Sequence, residues 1–424
     1  MFSLKFSKTM KDVQWSFVSF ATASFAHLLL RIVLGRSLGP SGLGLYTLVF
    51  TIYMFGMQFA AFGIGSALTK YVAQYQDDLP KINEFVSSGI LGSMISGSAM
   101  GLLLYTLSEI ISIHFFHNSE MTNLLKITAL CFPFISMQKV VIGTLNGLRE
   151  MKWYAVVNIF QNVSVLVISI ILVLRLNMDV MGAVLGFVIP TILVGMLSLT
   201  FIRNFLVRPS KLTSTVLKEI SWFGFYVVLA NSIGMINTQI DSLLIGHFMD
   251  ETEVGYYEVA IIFMQGVILL PQALQRVTTP SIATYYGKGD LNKIQQLIKN
   301  TMFKSFAITV CISVILAIFG KFLIVMVFKE EFLPAYIPMI TLLIGYSIYS
   351  TFVSIGGCLA SIGKVQIIFK ISAVCAALNT ILNILLIPRF GLIGAASATS
   401  ISLLFTTLIN MYYVKRYTSK RYAK

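Results

Sequence analysis

Twelve apolar stretches, each long enough to cross a bilayer as a helix, follow one another from Trp15 to Val414 with little between them. At 1.5 Å per residue, roughly 20 apolar residues span the ~30 Å hydrocarbon core. The first six spans are placed at Trp15–Gly35, Leu45–Thr69, Phe85–Leu107, Leu124–Gly147, Tyr154–Leu174 and Val180–Ile202. The second six are Trp222–Phe248, Tyr256–Ala283, Phe303–Ile324, Ala335–Ser361, Val365–Ile387 and Gly391–Val414. Of 424 residues 57% are hydrophobic and 11% charged, against about 25% charged in soluble domains. Such a chain cannot coat a water-soluble core. Ala21-Thr22-Ala23 imitates a cleavage site, but the apolar run continues to Leu34, so the first span reads as uncleaved.

The net charge of +14 does not indicate nucleic acid, because the basic residues lie in short loops between spans rather than along one face. With the N-terminus inside, 23 of the 31 Lys and Arg fall on inner segments, from Lys5, Lys8 and Lys11 onward. Seven fall outside: Arg31, Arg36, Lys126, Arg175, Lys321, Lys329 and Arg389. That bias predicts two cytoplasmic termini in a plasma-membrane protein whose neighbours are membrane lipids. Trp15, Trp153 and Trp222 each sit at the predicted inner interface, as amphipathic anchors do. The four cysteines lie in apolar runs without CxxC spacing, and the histidines are scattered, so neither metal nor cofactor is expected.

Local matches recur at half the chain length. Asp78-Leu79-Pro80-Lys81-Ile82 returns as Asp290-Leu291-Asn292-Lys293-Ile294, and Gly182-Ala183 as Gly394-Ala395, both shifted by 212. Gly44-Leu45-Tyr46 matches Gly255-Tyr256-Tyr257 at 211. Six spans per half is an even number, so both halves enter the membrane the same way. The expected fold is all-α and polytopic, with two parallel-repeat six-helix bundles (1–208 and 209–424) around a central cavity. The stretch Arg203–Glu219 links them, and Asp78 and Asp290 are expected N-caps.

Ionised side chains at mid-bilayer cost about 2.5–3.5 kcal/mol, which makes those present candidates for function. His27 and Arg31 share a face of the first span, and Lys139 lies within the fourth. In the eighth, Glu258, Gln265, Gln272 and Arg276 recur at helical spacing; Arg276 also fits an inner-interface anchor. Asn158, Gln161, Asn162 and Ser169 share a face of the fifth span. Asn231, Gly234, Asn237, Thr238 and Asp241 share one of the seventh, and Asn379 and Asn383 one of the eleventh. Interhelical hydrogen bonding competes with a wet cavity as the account of each asparagine. Asp241, with Glu258, is either a carboxylate that switches by binding H+ or Na+, or else a static buried salt bridge or hydrogen-bonded helix cap. Ser93, Gly97 and Gly101 form a small-residue packing face. Two parallel repeats with a substrate site expected between them make the chain read as a transporter rather than an enzyme.

The run Leu34-Gly35-Arg36-Ser37-Leu38-Gly39-Pro40-Ser41-Gly42-Leu43-Gly44-Leu45-Tyr46 resembles the signature of the polysaccharide (O-antigen type) transporters. Asp241-Ser242-Leu243-Leu244-Ile245-Gly246, followed by Val254-Gly255-Tyr256-Tyr257, is similar to that family's seventh and eighth spans. These lipid-linked oligosaccharide flippases belong to the superfamily that also holds multidrug-and-toxin extrusion proteins and the lipid II flippase. The resemblance implies a flippase moving an isoprenoid-diphosphate-linked glycan to the outer leaflet by alternating access, alongside other polysaccharide assembly proteins. Arg31, Lys139 and Arg276 would then meet the diphosphate, with His27, Gln265, Gln272, Asn158, Asn162 and Asn237 lining the path. The alternative is a cation-coupled multidrug antiporter, which would want a membrane-centred carboxylate in the N-terminal half. Glu109 and Asp179 lie instead at span ends.

Overall fold

The computed structural model describes residues 8–206 and 214–419. The 208/209 boundary and the middle of the Arg203–Glu219 connection lie outside these residues, as do Lys5 and the terminal Lys420, Arg421 and Lys424. Every regular element among the described residues is helical. In order they are α1 Lys8–Ala61, α2 Ile64–Gln74, α3 Leu79–Glu109, α4 Glu120–Ala129, α5 Phe132–Gly147, α6 Met151–Ile170 and α7 Asp179–Ser198. Then follow α8 Ser214–Phe248, α9 Glu251–Gly287, α10 Leu291–Val327, α11 Tyr336–Val353, α12 Cys358–Ser361 and α13 Val365–Thr418.

Among the described residues, nine helical segments are long and apolar enough to cross a membrane. Two of them, α1 and α13, are hairpins of two crossings each. Gly39 takes φ 68° just before Pro40, and Gly391 takes φ 58° three residues after Pro388. A left-handed residue that only glycine adopts cheaply, beside a residue with no N–H, ends one helix and starts the next. The limbs fold back: the His27 and Phe50 rings lie 6.0 Å apart across the Gly39 break, and Asn379 bonds Thr399 across the Gly391 break. The bent pair α4–α5 (43°) supplies one further crossing. Its break precedes Pro133, whose ring disfavours a helical carbonyl at Ala129. The count agrees with the twelve spans expected.

The repeat is visible in backbone landmarks. Asp78 and Asp290 cap α3 and α10, each accepting from an N–H three residues on at 3.1 Å. Left-handed residues recur at the same shift of 212, at His117 and Lys329 and at Asp179 and Gly391. Gly39 and Asp250, 211 apart, stand immediately before the second and eighth spans. Lys293 beside Asp290 holds that carboxyl below its usual range, which suits a cap at the membrane edge.

The chain packs as two compact units. The first comprises residues 1–38 and 45–232, and the second 39–44 and 233–424. The division between them falls inside α8. Val216 and Ile220 of α8 join the core of Leu68, Val72, Phe85, Val140 and Val157, and Gly224 lies against the carbonyl of Phe62.

Within the first unit, lipid gives no hydrophobic drive for helix association, so close backbone approach and hydrogen bonds must hold the helices. Gly97 and Gly101 of α3 meet the carbonyls of Phe132 and Ala129, where a Cβ would stand 2.8 Å from each oxygen. Ser136 donates to the Ser93 carbonyl at 2.7 Å. Gly143 of α5 lies under the carbonyl of Gly65 in α2, too close for any Cβ.

The second unit is built similarly, with Ser305 donating to the Ser350 carbonyl at 2.9 Å and Ser313 bonding Ser347 at 2.8 Å. Residues 39–44 pack on the start of α9 in a reciprocal way. Gly44 abuts the carbonyl of Glu251, and Gly255 abuts the carbonyl of Pro40. With the shift of 211, residue 40 corresponds to 251 and 44 to 255. The crossing thus pairs equivalent positions of the two repeats.

Candidate substrate and ion sites

In the first unit α6 carries the organising face. Tyr154, Asn158 and Asn162 are four apart and lie on one stripe. Asn158 donates to the Tyr154 carbonyl at 2.9 Å and Asn162 to the Asn158 carbonyl at 2.7 Å, leaving both amide oxygens to face neighbours. At one end Asn162 faces the His27 imidazole, with Arg31 one turn further along α1. At the other end, about 12 Å away by helical rise, Tyr154 lines a cavity of about 270 Å³ that also holds Lys139. Gln58, Ser66, Thr69, Asn146 and Asn231 supply its other polar side chains.

Lys139 is partly buried and lines this cavity. No carboxylate among the described residues pairs with it. Counting from Gly147, it sits about 12 Å from the end of α5, well inside a ~30 Å core. The cavity lies beside a break in the second span that the sequence reading missed. Phe62 and Gly63 are consecutive left-handed residues with φ 44° and 65°, so α1 ends there and α2 begins again at Ile64.

In the second unit Asp241 is 6% exposed and is held by three side chains. Tyr257 donates to its Oδ2 at 2.8 Å, Thr399 donates to the same oxygen at 2.5 Å, and Asn383 donates to Oδ1 at 2.7 Å. Asn379 completes the group through Thr399 and Asn383. All partners are neutral, so Asp241 is not part of an ion pair. The Asn383 Oδ1 is buried without a donor. A buried carboxylate surrounded by neutral hydroxyls and amides, one of whose oxygens lacks a partner, is an arrangement that a proton or small hard cation completes.

The other predicted residues separate. Glu258 is buried but is not among the groups that bond Asp241. Gln265, Gln272 and Arg276 lie exposed on α9. Asn237 is partly buried, and its amide bonds the Ser372 carbonyl at 3.1 Å, a tie between helices. The polar face of α8 divides: Asn231, Gly234 and Thr238 are exposed, whereas Asp241 turns inward. Gln161 bonds Thr191 at 3.1 Å, and Ser169 is buried. Tyr257 and Thr399 were not singled out in sequence, although Tyr257 lies in the motif beginning at Val254.

The family described as "Polysaccharide biosynthesis protein" matches residues 9–286, well over half the chain. The chain belongs to this family. A second family, MatE, matches residues 227–385. The putative O-antigen transporter of Shigella flexneri is 20% identical and covers 97% of this chain and 98% of its own. The capsular polysaccharide biosynthesis protein CapF of Staphylococcus aureus is 22% identical over 95% and 98%. Among solved structures, the lipid II flippase MurJ in its inward closed conformation superposes with a TM-score of 0.77. That match is 20% identical and covers 95% of this chain and 87% of the other. The shared fold is the two-repeat helical bundle.

Proposed function

We propose that this member of the family is a plasma-membrane flippase, with both termini in the cytoplasm. Its substrate is an isoprenoid-diphosphate-linked oligosaccharide, which it moves from the inner to the outer leaflet for surface polysaccharide assembly. The observation that carries this reading is the charge of the membrane-embedded first unit. Lys139 lines its cavity and His27, with Arg31 beside it, meets Asn162, whereas its described carboxylates all lie within about two turns of a helix end. An anionic head group complements that interior, and a cationic drug does not. The names of the relatives, an O-antigen transporter and a capsular polysaccharide protein, support the same substrate class.

Alternating access exposes the cavity first to one side of the membrane and then to the other. Asp241 couples this to H+ or Na+: an ion bound more tightly in one state shifts the balance between states. The MatE match over 227–385 favours a second reading, a cation-coupled drug antiporter, for which the Asp241 cluster would serve equally. The charge of the first unit separates the two.

The test is surface glycan display in cells that depend on this protein. Arg31→Ala and Lys139→Ala are expected to lower display at least about tenfold at normal membrane abundance, since charge-assisted bonds to phosphate contribute about 1.5–3 kcal/mol. Arg31→Lys should restore part of it. Normal display from both alanine variants would remove the main support for an anionic substrate.

A further inference from the structure

We propose that the end of the second unit where α10 begins and α13 finishes is a docking surface for anionic phospholipid. That this end meets the inner leaflet follows from the orientation proposed above. The binding itself depends neither on that orientation nor on what the protein transports.

The two units carry different charge at their corresponding ends. In the first unit the cations stand among Asp12, Asp77, Asp78, Glu84, Glu150 and Glu219. Arg149 meets Asp12 at 2.8 Å, and Lys81 meets Asp78 at 3.9 Å. At this end of the second unit Asp290 is the one carboxylate among the described residues, and Lys293 holds it at 3.0 Å. No Asp or Glu follows Glu331 in the sequence. Yet Lys288, Lys299, Lys364, Lys415 and Arg416 are all exposed here. An inner-side excess of Lys and Arg orients a membrane protein wherever the cations stand, and carboxylates contribute little to that bias. Orientation therefore gives no reason for one unit to have lost its carboxylates.

The fold gathers these cations. Ile282, Ile294, Ile298, Ile362 and Val414 belong to one apolar core, so the end of α9, the start of α10, the α12–α13 turn and the end of α13 converge. Gln295 donates to the Thr418 carbonyl at 3.0 Å. Helix α10 leaves this end and α13 arrives at it. Lys299, one turn after Gln295, therefore stands level with Val414 and Lys415, one turn before Thr418. The Lys364 ammonium lies 5.0 Å from the centre of the Tyr417 ring, which stacks on Tyr413.

Apolar side chains accompany the cations. Phe303, one turn beyond Lys299, is 72% exposed, and Tyr412, three residues before Lys415, is 58% exposed. Val365 and Phe369, which follow Lys364 on α13, are exposed as well. A soluble acidic partner would leave these side chains unmatched. An anionic phospholipid matches both sets, with its phosphate against the ammonium groups and its acyl chains along the apolar side chains.

The full protein in detergent is titrated with phosphatidylglycerol and, separately, with phosphatidylcholine, and bound lipid is counted by native mass spectrometry. Wild type should bind phosphatidylglycerol more tightly, and raised ammonium acetate should narrow the difference. A lysine near an anionic surface contributes about fivefold in affinity, so Lys299→Gln, Lys364→Gln and Lys415→Gln combined should weaken phosphatidylglycerol binding on the order of a hundredfold. Phosphatidylcholine binding should not change. The same three lysines replaced by arginine should keep the preference, which separates lost charge from lost fold. Lys11→Gln, Lys152→Gln and Lys218→Gln combined, on the first unit, should leave the preference as in wild type.

Equal binding of the two lipids by wild type overturns the proposal. So does an unchanged preference in the triple glutamine variant of the second unit. An equal loss in the triple glutamine variant of the first unit overturns it too, because the cations would then act only as general anchors at a charged interface.

Discussion

Asp241→Asn is expected to yield a folded, membrane-resident protein whose transport no longer responds to an ion gradient. The carboxylate accepts three hydrogen bonds from Tyr257, Thr399 and Asn383. An amide fills the same volume but has one acceptor oxygen and no charge with which to hold a proton or cation. It also turns an NH2 toward a hydroxyl or amide donor, so some polar groups lose a partner at about 1–3 kcal/mol each. Slow downhill flipping should survive, because the cavity of the first unit is untouched. In proteoliposomes the gradient-driven component should vanish for both an imposed proton and an imposed sodium gradient. A wild-type response to either gradient would show that the cluster is a static buried network. Asp241→Ala is a harsher control, expected to lower the melting temperature as well, since it leaves three donors without an acceptor.

The largest structural effect is expected at Gly143. Its α-carbon lies under the carbonyl of Gly65, and Thr69 donates to both the Gly65 and the Gly143 carbonyls at 3.1 Å. A valine here would force α2 and α5 apart and would break this pair of bonds. Overpacking a rigid contact costs about 1–3 kcal/mol, and here the clashing partner is backbone that cannot swing aside. Gly143→Val should therefore give little folded protein after detergent extraction, and Gly143→Ala a lowered melting temperature. Wild-type yield and melting temperature for the valine variant would mean that α2 and α5 are not held by this contact.

The spans and the repeat were legible because apolar runs and turn residues act locally. Gly39-Pro40, for example, announces its own hairpin. The cation Lys139 and the carboxylate Asp241 were also legible, since charge within an apolar run stands out whatever surrounds it. Their surroundings were not. Thr399 reaches Asp241 only because α13 folds back at Gly391, and the two residues are 158 apart in sequence. The Phe62–Gly63 break was hidden because phenylalanine gives no sign of a left-handed conformation. The stripe on α9 is less uniform than its spacing. Glu258 through Arg276 share a helical face by spacing, yet the helix passes from the buried Glu258 to the exposed Gln265, Gln272 and Arg276. Spacing fixes the angle around a helix and says nothing of what lies alongside at each level.

The central claim, that this protein flips a lipid-linked glycan by means of cations in its first unit, is tested most directly with purified protein in proteoliposomes. An isoprenoid-diphosphate-linked oligosaccharide placed in the inner leaflet is followed by its accessibility to an external glycan-cleaving enzyme. Protein-dependent exposure in wild type, reduced at least about tenfold in Lys139→Ala, is the predicted result. Equal rates with and without protein, accompanied by gradient-driven efflux of a cationic drug, would contradict it.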